Sequence, residues 1–378
     1  MSDRSDRGDG QPLDRLNPMR LGLRHQLGLV GLVGLGTLPL VIDATFALTL
    51  ALAYFWGVYA MSWDVVSGYT GQISFGHGVF FGVGGYTSAL LNLGYGIDPV
   101  FSIPVGALLA AVAGLIIGVP ALRLRGPYLS LVTLVAPLIL VQVFIFRSDI
   151  FNGEQGLSSV DPLFGLSTFG NETAFYYVAL GLFVGVLALL LLITRSDAGS
   201  VFTAIREDED AVAAAGLNPA KFKIMAFVLS AAIGGLAGAV IVHTPSGNAS
   251  PTTLMSVTVN VEVIIAAILG GMGTIVGAGV GGILLILLRE QLSKVAWTVP
   301  IIDTPVSDID FLVFALITLV LLYALPGGIV RWVIELGGQS VAKLRGRDDV
   351  AADGGQTPLE QVYDSYAEWF SGGDDDER

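Results

Sequence analysis

Ten apolar stretches divide this chain, at about 27–42, 46–63, 74–93, 99–120, 126–146, 173–194, 222–243, 259–270, 275–289 and 311–328, and its basic residues fall almost wholly on alternate connections between them. In hydrocarbon every backbone N–H and C=O must bond within its own segment, so stretches of roughly 20 apolar residues are expected to be helices. The expected fold class is therefore all-α, a polytopic integral membrane protein. Counted from a cytoplasmic N-terminus, the inner segments carry Arg4, Arg7, Arg15, Arg20, Arg24, Arg123, Arg125, Arg195, Arg206, Lys221, Lys223, Arg331, Lys343, Arg345, Arg347 and Arg378. The outer segments carry only Arg147, Arg289 and Lys294. Sixteen against three sets both termini inside. The eighth and ninth stretches are short, as half-helices or a re-entrant pair around Gly270-Gly271-Met272-Gly273 would be. Fusing them would send the five basic residues from Arg331 onward to the outside, so about ten spans are expected. No small-x-small cleavage site follows Ile42, and the first stretch reads as a retained helix.

This divides the chain into a polar tail (1–26), a transmembrane domain (27–330) with a long inner loop (195–222), and an acidic tail (331–378). In that tail Thr357-Pro358-Leu359-Glu360 has capping-box spacing, and Leu359, Val362, Tyr363, Tyr366, Trp369 and Phe370 share a face, predicting an amphipathic helix over 357–370. The net charge is −13 with only four lysines. Two explanations stand: a high-salt, halophilic host in which dense like charge is screened, or simply two acidic disordered tails. There is no cysteine, hence no disulfide and no thiolate metal site.

The glycine-rich stretch Gly68-Tyr69-Thr70-Gly71-Gln72-Ile73-Ser74-Phe75-Gly76-His77-Gly78 sets Gln72, Ser74 and His77 at membrane depth among residues that weaken helix. One reading is a discontinuous helix beside a substrate cavity. The other is close packing through small residues, with His77 a satisfied structural histidine. In the inner loop, Arg206-Glu207-Asp208-Glu209-Asp210 leads the run Ala211 to Ala215, and Gly216-Leu217-Asn218-Pro219 stops it. Acids complement a helix N-terminus, alanine propagates it, and glycine with proline ends it. The product is a short helix whose small-residue face suits a groove on a soluble partner, or else a plain surface loop. Glu262, about one turn into the eighth span, either faces the path or caps the bundle. The ladders Gly234-xxx-Gly238 and Gly273-xxx-Gly277-xxx-Gly281 permit close helix contacts, within the chain or across a subunit interface.

No lysine follows a glycine, so no Walker A loop exists. His-Glu-x-x-His and Gly-x-Ser-x-Gly are absent, and only His25, His77 and His243 are present, poor material for an intramembrane enzyme. No lysine or aspartate ladder runs along the spans, as a stand-alone secondary transporter would require. No cofactor, metal or nucleic acid is expected to bind this chain.

Four ordered pieces resemble the membrane permease of branched-chain amino-acid ABC importers, over roughly residues 44–330. Gly68 through Ala89 is similar to that family's signature and points to the M-type subunit of the permease pair. Asn152-Gly153-Glu154-Gln155-Gly156 resembles its glycine-rich outer loop, Ala204 through Asn218 its coupling segment, and Val261-Glu262-Val263 with Leu269 through Gly273 its late helix pair. Pro326-Gly327-Gly328 departs by lacking the family's basic residue, with Arg331 following later. The resemblance implies an H-type partner permease and two ATPases that hydrolyse ATP beneath the bilayer. The coupling residues it implies are Arg206, Glu207, Asp208, Glu209, Asp210, Ala211 and Gly216. An extracytoplasmic binding protein would dock on the outer loops (147–172 and 244–258), including Asn152, Gly153, Glu154 and Gly156. A substrate path is expected near Gly68, Gly71, Gln72, Ser74, His77, Glu262, Gly270 and Gly271. A urea or short-amide importer is the rival inside the family. Location in the plasma membrane follows from either.

Overall fold

The computed structural model describes residues 23–121, 127–166, 171–245, 247–295, 297–299, 304–305, 309–325 and 327–333. Residues 1–22 of the expected polar tail (1–26), Arg123, Arg125, Pro326 and the amphipathic helix over 357–370 lie outside the described residues, and residues 23–26 of that tail are the first turn of a helix. The helices are α1 (Leu23–Thr37), α2 (Ala44–Thr70), α3 (Gly78–Tyr95), α4 (Pro99–Ala121), α5 (Pro127–Phe146), α6 (Ser148–Phe151), α7 (Glu172–Thr194), α8 (Asp197–Glu207), α9 (Glu209–Ala214), α10 (Pro219–Val242), α11 (Pro251–Met255), α12 (Val257–Gly271), α13 (Ile275–Ser293) and α14 (Asp310–Ala324). Two two-residue strands, Thr298–Val299 and Thr304–Pro305, pair antiparallel between α13 and α14. The fold is all-α as expected, and each of the ten apolar stretches falls on a helix.

Among the described residues seven helical segments are long and apolar enough to cross a bilayer. Two corrections concern the late pair. α11 and α12 together make a 21-residue candidate span, Pro251–Gly271, and α13 adds one of 19 residues, so neither is a half-helix. The short stretch in the sequence reflects Thr252, Thr253 and Ser256, which stay at the start of these helices because Ser250 and Ser256 accept the N–H bonds of Thr253 and Val259. Arg289 is not an outer-loop residue either but lies inside α13.

α2 is the hub. Its 27 residues span about 40 Å, and it is buried on nearly every side by α7, α10, α12 and α13. Asp43 starts it by accepting the Phe46 N–H at 2.8 Å, and Gly71 ends it in the left-handed region at φ 69°. Small residues set the helix spacing around it. A methyl on Gly282 of α13 would stand 2.6 Å from the Trp56 carbonyl, and one on Gly238 of α10 would overlap the Phe81 carbonyl. Gly281 and Gly277 meet α12 at the Ala266, Gly270 and Gly271 carbonyls in the same way. The glycine ladders are thus consumed by packing within the chain. The faces of α4, α5 and α14 that carry Leu108, Ile116, Leu131, Ile139, Leu316 and Val320 point outward.

The connections gather at two ends. Residues 71–77, α8 and α9, the α12–α13 turn and Gly327–Gly328 meet at one, here called the basic end. Residues 96–98, 152–166, 243–245 and 247–250 meet at the opposite end.

Candidate functional site

After Gly71 the chain does not continue as helix. Residues 72–77 return alongside the last turns of α2, and α3 starts at Gly78, four residues later than the sequence pattern placed the third span. An irregular backbone in hydrocarbon must find its partners inside the protein, and side chains supply them. Trp63 donates its indole N–H to the Ser74 carbonyl at 2.7 Å, Ser130 donates to the Ile73 carbonyl at 2.8 Å, and Thr133 Oγ1 accepts the Phe75 N–H at 3.1 Å. Ser67 Oγ donates to the Gln72 carbonyl and accepts the Ser74 N–H, each at 3.2 Å. Pro137 in α5 has no N–H to give the Thr133 carbonyl, and Gly76 packs directly onto that carbonyl.

His77 lies at the top of this segment, fully buried. Its Nε2 is 3.0 Å from Ser62 Oγ and 3.2 Å from Ser230 Oγ. Both hydroxyls already donate elsewhere, Ser62 to the Tyr59 carbonyl at 2.6 Å and Ser230 to the Ser62 carbonyl at 2.5 Å. Both must therefore accept from His77, which assigns the neutral Nε2–H tautomer and leaves Nδ1 a buried acceptor without a partner. Gly78 donates its N–H to Asn260 Oδ1 at 2.7 Å. Counting residues along α2 from Ser62 to Thr70 and along α12 from Asn260 to Gly271 puts this cluster about 12–16 Å above the basic end. That is near the middle of a hydrocarbon core of about 30 Å.

Below it the two glycine-rich breaks come together through a residue that the sequence pattern did not single out. Asp64, fully buried in α2, accepts the Gly273 N–H at 2.7 Å through Oδ1. A methyl on Gly68 would overlap Asp64 Oδ1 and stand 2.6 Å from the Gly273 nitrogen. Gly328 in turn packs with its Cα face 2.5 Å from Gly271 Cα, measured from where its Cβ would be. Gly68, Gly270 and Gly271 are thus one junction, and Gly71 and Gln72 lie at its edge, less buried. Glu262 sits apart from the junction. It is buried in α12 and paired with Arg289 of α13 at 2.5 Å.

The loop segment touches the same junction. α8 buries Gly199, Phe202 and Ile205 against the bundle, and Arg206 at its end donates from Nη1 to the Gly68 carbonyl at 3.0 Å. A guanidinium on the last carbonyls of α2 satisfies a group that the helix end leaves open and complements its dipole. Arg206 also pairs with Glu207 at 2.7 Å. The sequence pattern suggested one acid-led helix. Instead Asp208, in extended conformation, accepts the Ala211 N–H at 2.9 Å and starts α9 separately. Glu209 reaches back to bond the buried Lys223 ammonium at 2.8 Å, while Asp210 stays in the first turn of α9. Gly216 at φ 85° closes α9, its N–H on the Ala213 carbonyl and the Leu217 N–H on that of Val212. Ala211, Ala213, Ala214, Ala215, Gly216 and Leu217 then form an exposed small-residue face, with Leu217 44% exposed.

At the opposite end the two loop stretches expected to serve docking are brought together. Asn152 Nδ2 donates to the Gly156 carbonyl at 2.7 Å, Gly156 packs on the Ala249 carbonyl, and Leu157 pairs with Ala249. Gly153 is buried and Glu154 exposed. Beneath, His243 donates Nδ1–H to the Asp161 carbonyl at 2.6 Å and accepts from Ser88 at 2.7 Å, while Asn92 bonds the Asp161 carboxylate at 2.9 Å. Burial holds the His243 imidazole below its ordinary 6.5, against the pull of the Asp161 carbonyl and of the Asp161 and Asp98 charges. Among the described residues no group of three or more histidine, aspartate or glutamate side chains is placed to hold a metal ion.

An interrupted helix at mid-bilayer depth, inside a bundle of apolar helices, defines a multi-pass membrane protein built around a discontinuous segment. The profile of the family described as branched-chain amino acid transport system / permease component matches residues 45–324, and the chain belongs to that family. It is 34% identical to the high-affinity branched-chain amino acid transport system permease protein LivM of Escherichia coli K12, over 65% of this chain and 62% of that protein. It is 24% identical to a probable LivM of Methanocaldococcus jannaschii (67% of this chain, 78% of that one). To the E. coli LivH permease it is 28% identical (73% and 91%). The chain thus spans about three-fifths of the bacterial LivM proteins that it matches. No solved structure matches it.

Proposed function

We propose that this chain is the M-type permease subunit of an ATP-driven importer of branched-chain amino acids in the plasma membrane, with about ten spans and the basic end in the cytoplasm. The observation that carries the reading is the contact of Arg206 with the Gly68 carbonyl. It joins the segment suited to an ATPase groove to the helix break suited to a substrate path. In this reading α9 and its small-residue face enter a cleft on an ATPase, and closing of two such ATPases on ATP pushes α8 against the end of α2. The H-type permease completes the path, with Gln72, Ser74 and His77 on its near side. A binding protein delivers substrate to the loop pair of Asn152–Gly156 and 244–250. The chain performs no bond chemistry of its own, and ATP is bound and hydrolysed by its partners. Asp and Glu exceed Lys and Arg by 32 to 19, in keeping with a high-salt cytoplasm.

The test is affinity purification of the tagged chain from its host membranes, with mass spectrometry of the complex. Two ATPase chains and a second permease are the expected company, and the ligand of a co-purified binding protein separates branched-chain amino acids from urea or amides. An intact chain that purifies alone or as a homo-oligomer refutes the reading.

A further inference from the structure

The junction at the basic end holds a carboxylate that the packing uses only by half. Asp64 Oδ1 accepts the Gly273 N–H at 2.7 Å, but Oδ2 is buried with no hydrogen-bond partner. A buried carboxyl oxygen left unmatched is costly in a hydrocarbon setting, and such a group persists where it has a second use. The nearest cation of the loop segment is one carbonyl away. Arg206 donates to the Gly68 carbonyl, and Gly68 stands one helical turn from Asp64, its Cα face pressed on Asp64 Oδ1. Arg206 has a side chain long enough to cross one turn of about 5.4 Å, and only its Nη1 is on the carbonyl; its Nε and Nη2 hold one oxygen of the half-exposed Glu207, a partner that the buried Asp64 carboxylate would replace. Residue 68 is glycine, so it places no side chain of its own between the two acceptors.

We propose that Arg206 and Asp64 form a state-dependent latch: in the geometry seen here Arg206 caps the end of α2, and in the alternate transport state it moves onto the free oxygen of Asp64. The proposal rests on the coupling role proposed above for α8 and α9. It makes Asp64 a positioning residue that acts through Arg206 and touches no substrate. The exchange gives α8 two discrete seats on α2. It also ties the seat to the α12–α13 turn, since the same carboxylate holds Gly273. Two seats with different partners are what a rocking transporter needs to turn a push on a loop into two defined arrangements.

The test uses the assembled transporter in liposomes. The chain has no cysteine, so Ser200→Cys and Tyr128→Cys, both exposed near the basic end, become its two labelling sites for pulsed EPR distances. Trapped ATP is expected to shift the distance in the otherwise unaltered chain. Asp64→Asn keeps an oxygen for the Gly273 N–H but loses the charge. It is expected to lower the shifted population about ten-fold, as is Arg206→Gln, with the double variant no worse than either. A merely structural Asp64 would alter melting and leave the shift intact. Full shift in Asp64→Asn overturns the latch. If that variant does not assemble, full shift in Arg206→Gln overturns it equally. No shift in the unaltered chain removes the coupling role and the latch together, whereas a shift in all variants removes the latch alone.

Discussion

Gly68→Ala tests whether the junction between the two breaks is as tight as its geometry states. The added methyl overlaps Asp64 Oδ1 and stands 2.6 Å from the Gly273 nitrogen, a backbone atom that cannot rotate away. Relief requires the α12–α13 turn to back off, which breaks the 2.7 Å bond from Gly273 to Asp64. Overpacking costs about 1–3 kcal/mol and loss of a hydrogen bond to a carboxylate about 1.5–3, so the change is expected to cost about 3–5 kcal/mol. For a chain of this size that lowers the melting temperature by roughly 4–6 °C. The assay is thermal unfolding of the detergent-purified chain, followed by fluorescence-detected size exclusion. Gly181→Ala in α7 is the control: nothing lies within 4 Å of its added methyl, and its effect should stay within about 1 kcal/mol. Equal melting of Gly68→Ala and Gly181→Ala would refute the tight junction and with it the shared seat of the two glycine breaks.

Glu209→Gln and Glu207→Gln should differ, although both remove an acid from one loop. Glu209 neutralises the buried Lys223, so its loss is expected to lower the melting temperature, whereas Glu207 is half-exposed beside Arg206 and its loss should leave melting unchanged. Gly216→Pro abolishes the left-handed close of α9 and its N–H bond to Ala213, and uptake should fall while the complex still purifies intact. At the opposite end, burial depresses the His243 pKa, so the unfolded chain binds a proton that the folded chain refuses. Stability contributed there is present above about pH 6.5 and falls as pH drops below it. His243→Asn, which keeps a donor for the Asp161 carbonyl, should flatten the acid side of the melting profile between about pH 7 and 5.

The spans were legible because the bilayer imposes one rule on every apolar segment. What lies between them was less so. The apolar run of the second span stops at Trp63, yet α2 continues to Thr70, because neighbouring helices rather than lipid surround Asp64, Ser67 and Thr70. Asp64 carried a local signal in its four-residue spacing from Gly68, but its partner Gly273 is 209 residues away. The break was visible as glycine content. Its course back along α2 depends on Trp63, Ser130 and Thr133, three side chains from two helices whose joint use no local pattern encodes. The acidic run predicted a helix start without revealing which acid would be the cap. Asp208 took that place, and Glu207 stayed with α8.

The arrangement also says where force can enter. α2, α3, α10, α12 and α13 approach so closely through glycine that they have little freedom to slide without backbone collision. α8 has one such contact, Gly199 against the Thr194 carbonyl at the end of its neighbour α7, and, among the described residues, none with those five helices. α8 and α9 hold the bundle through Phe202, Ile205, the Lys223–Glu209 pair and the Arg206 cap. Of these, Phe202 and Ile205 anchor the middle of α8 by apolar contact, which has no direction, while Arg206 at its end meets one defined carbonyl. On the coupling role proposed above, a push on the exposed face of α9 would pivot α8 about its apolar anchor and be felt first at Arg206. That proposal puts the response at a contact where, among the described residues, the helix break, the α12–α13 turn and the loop already meet.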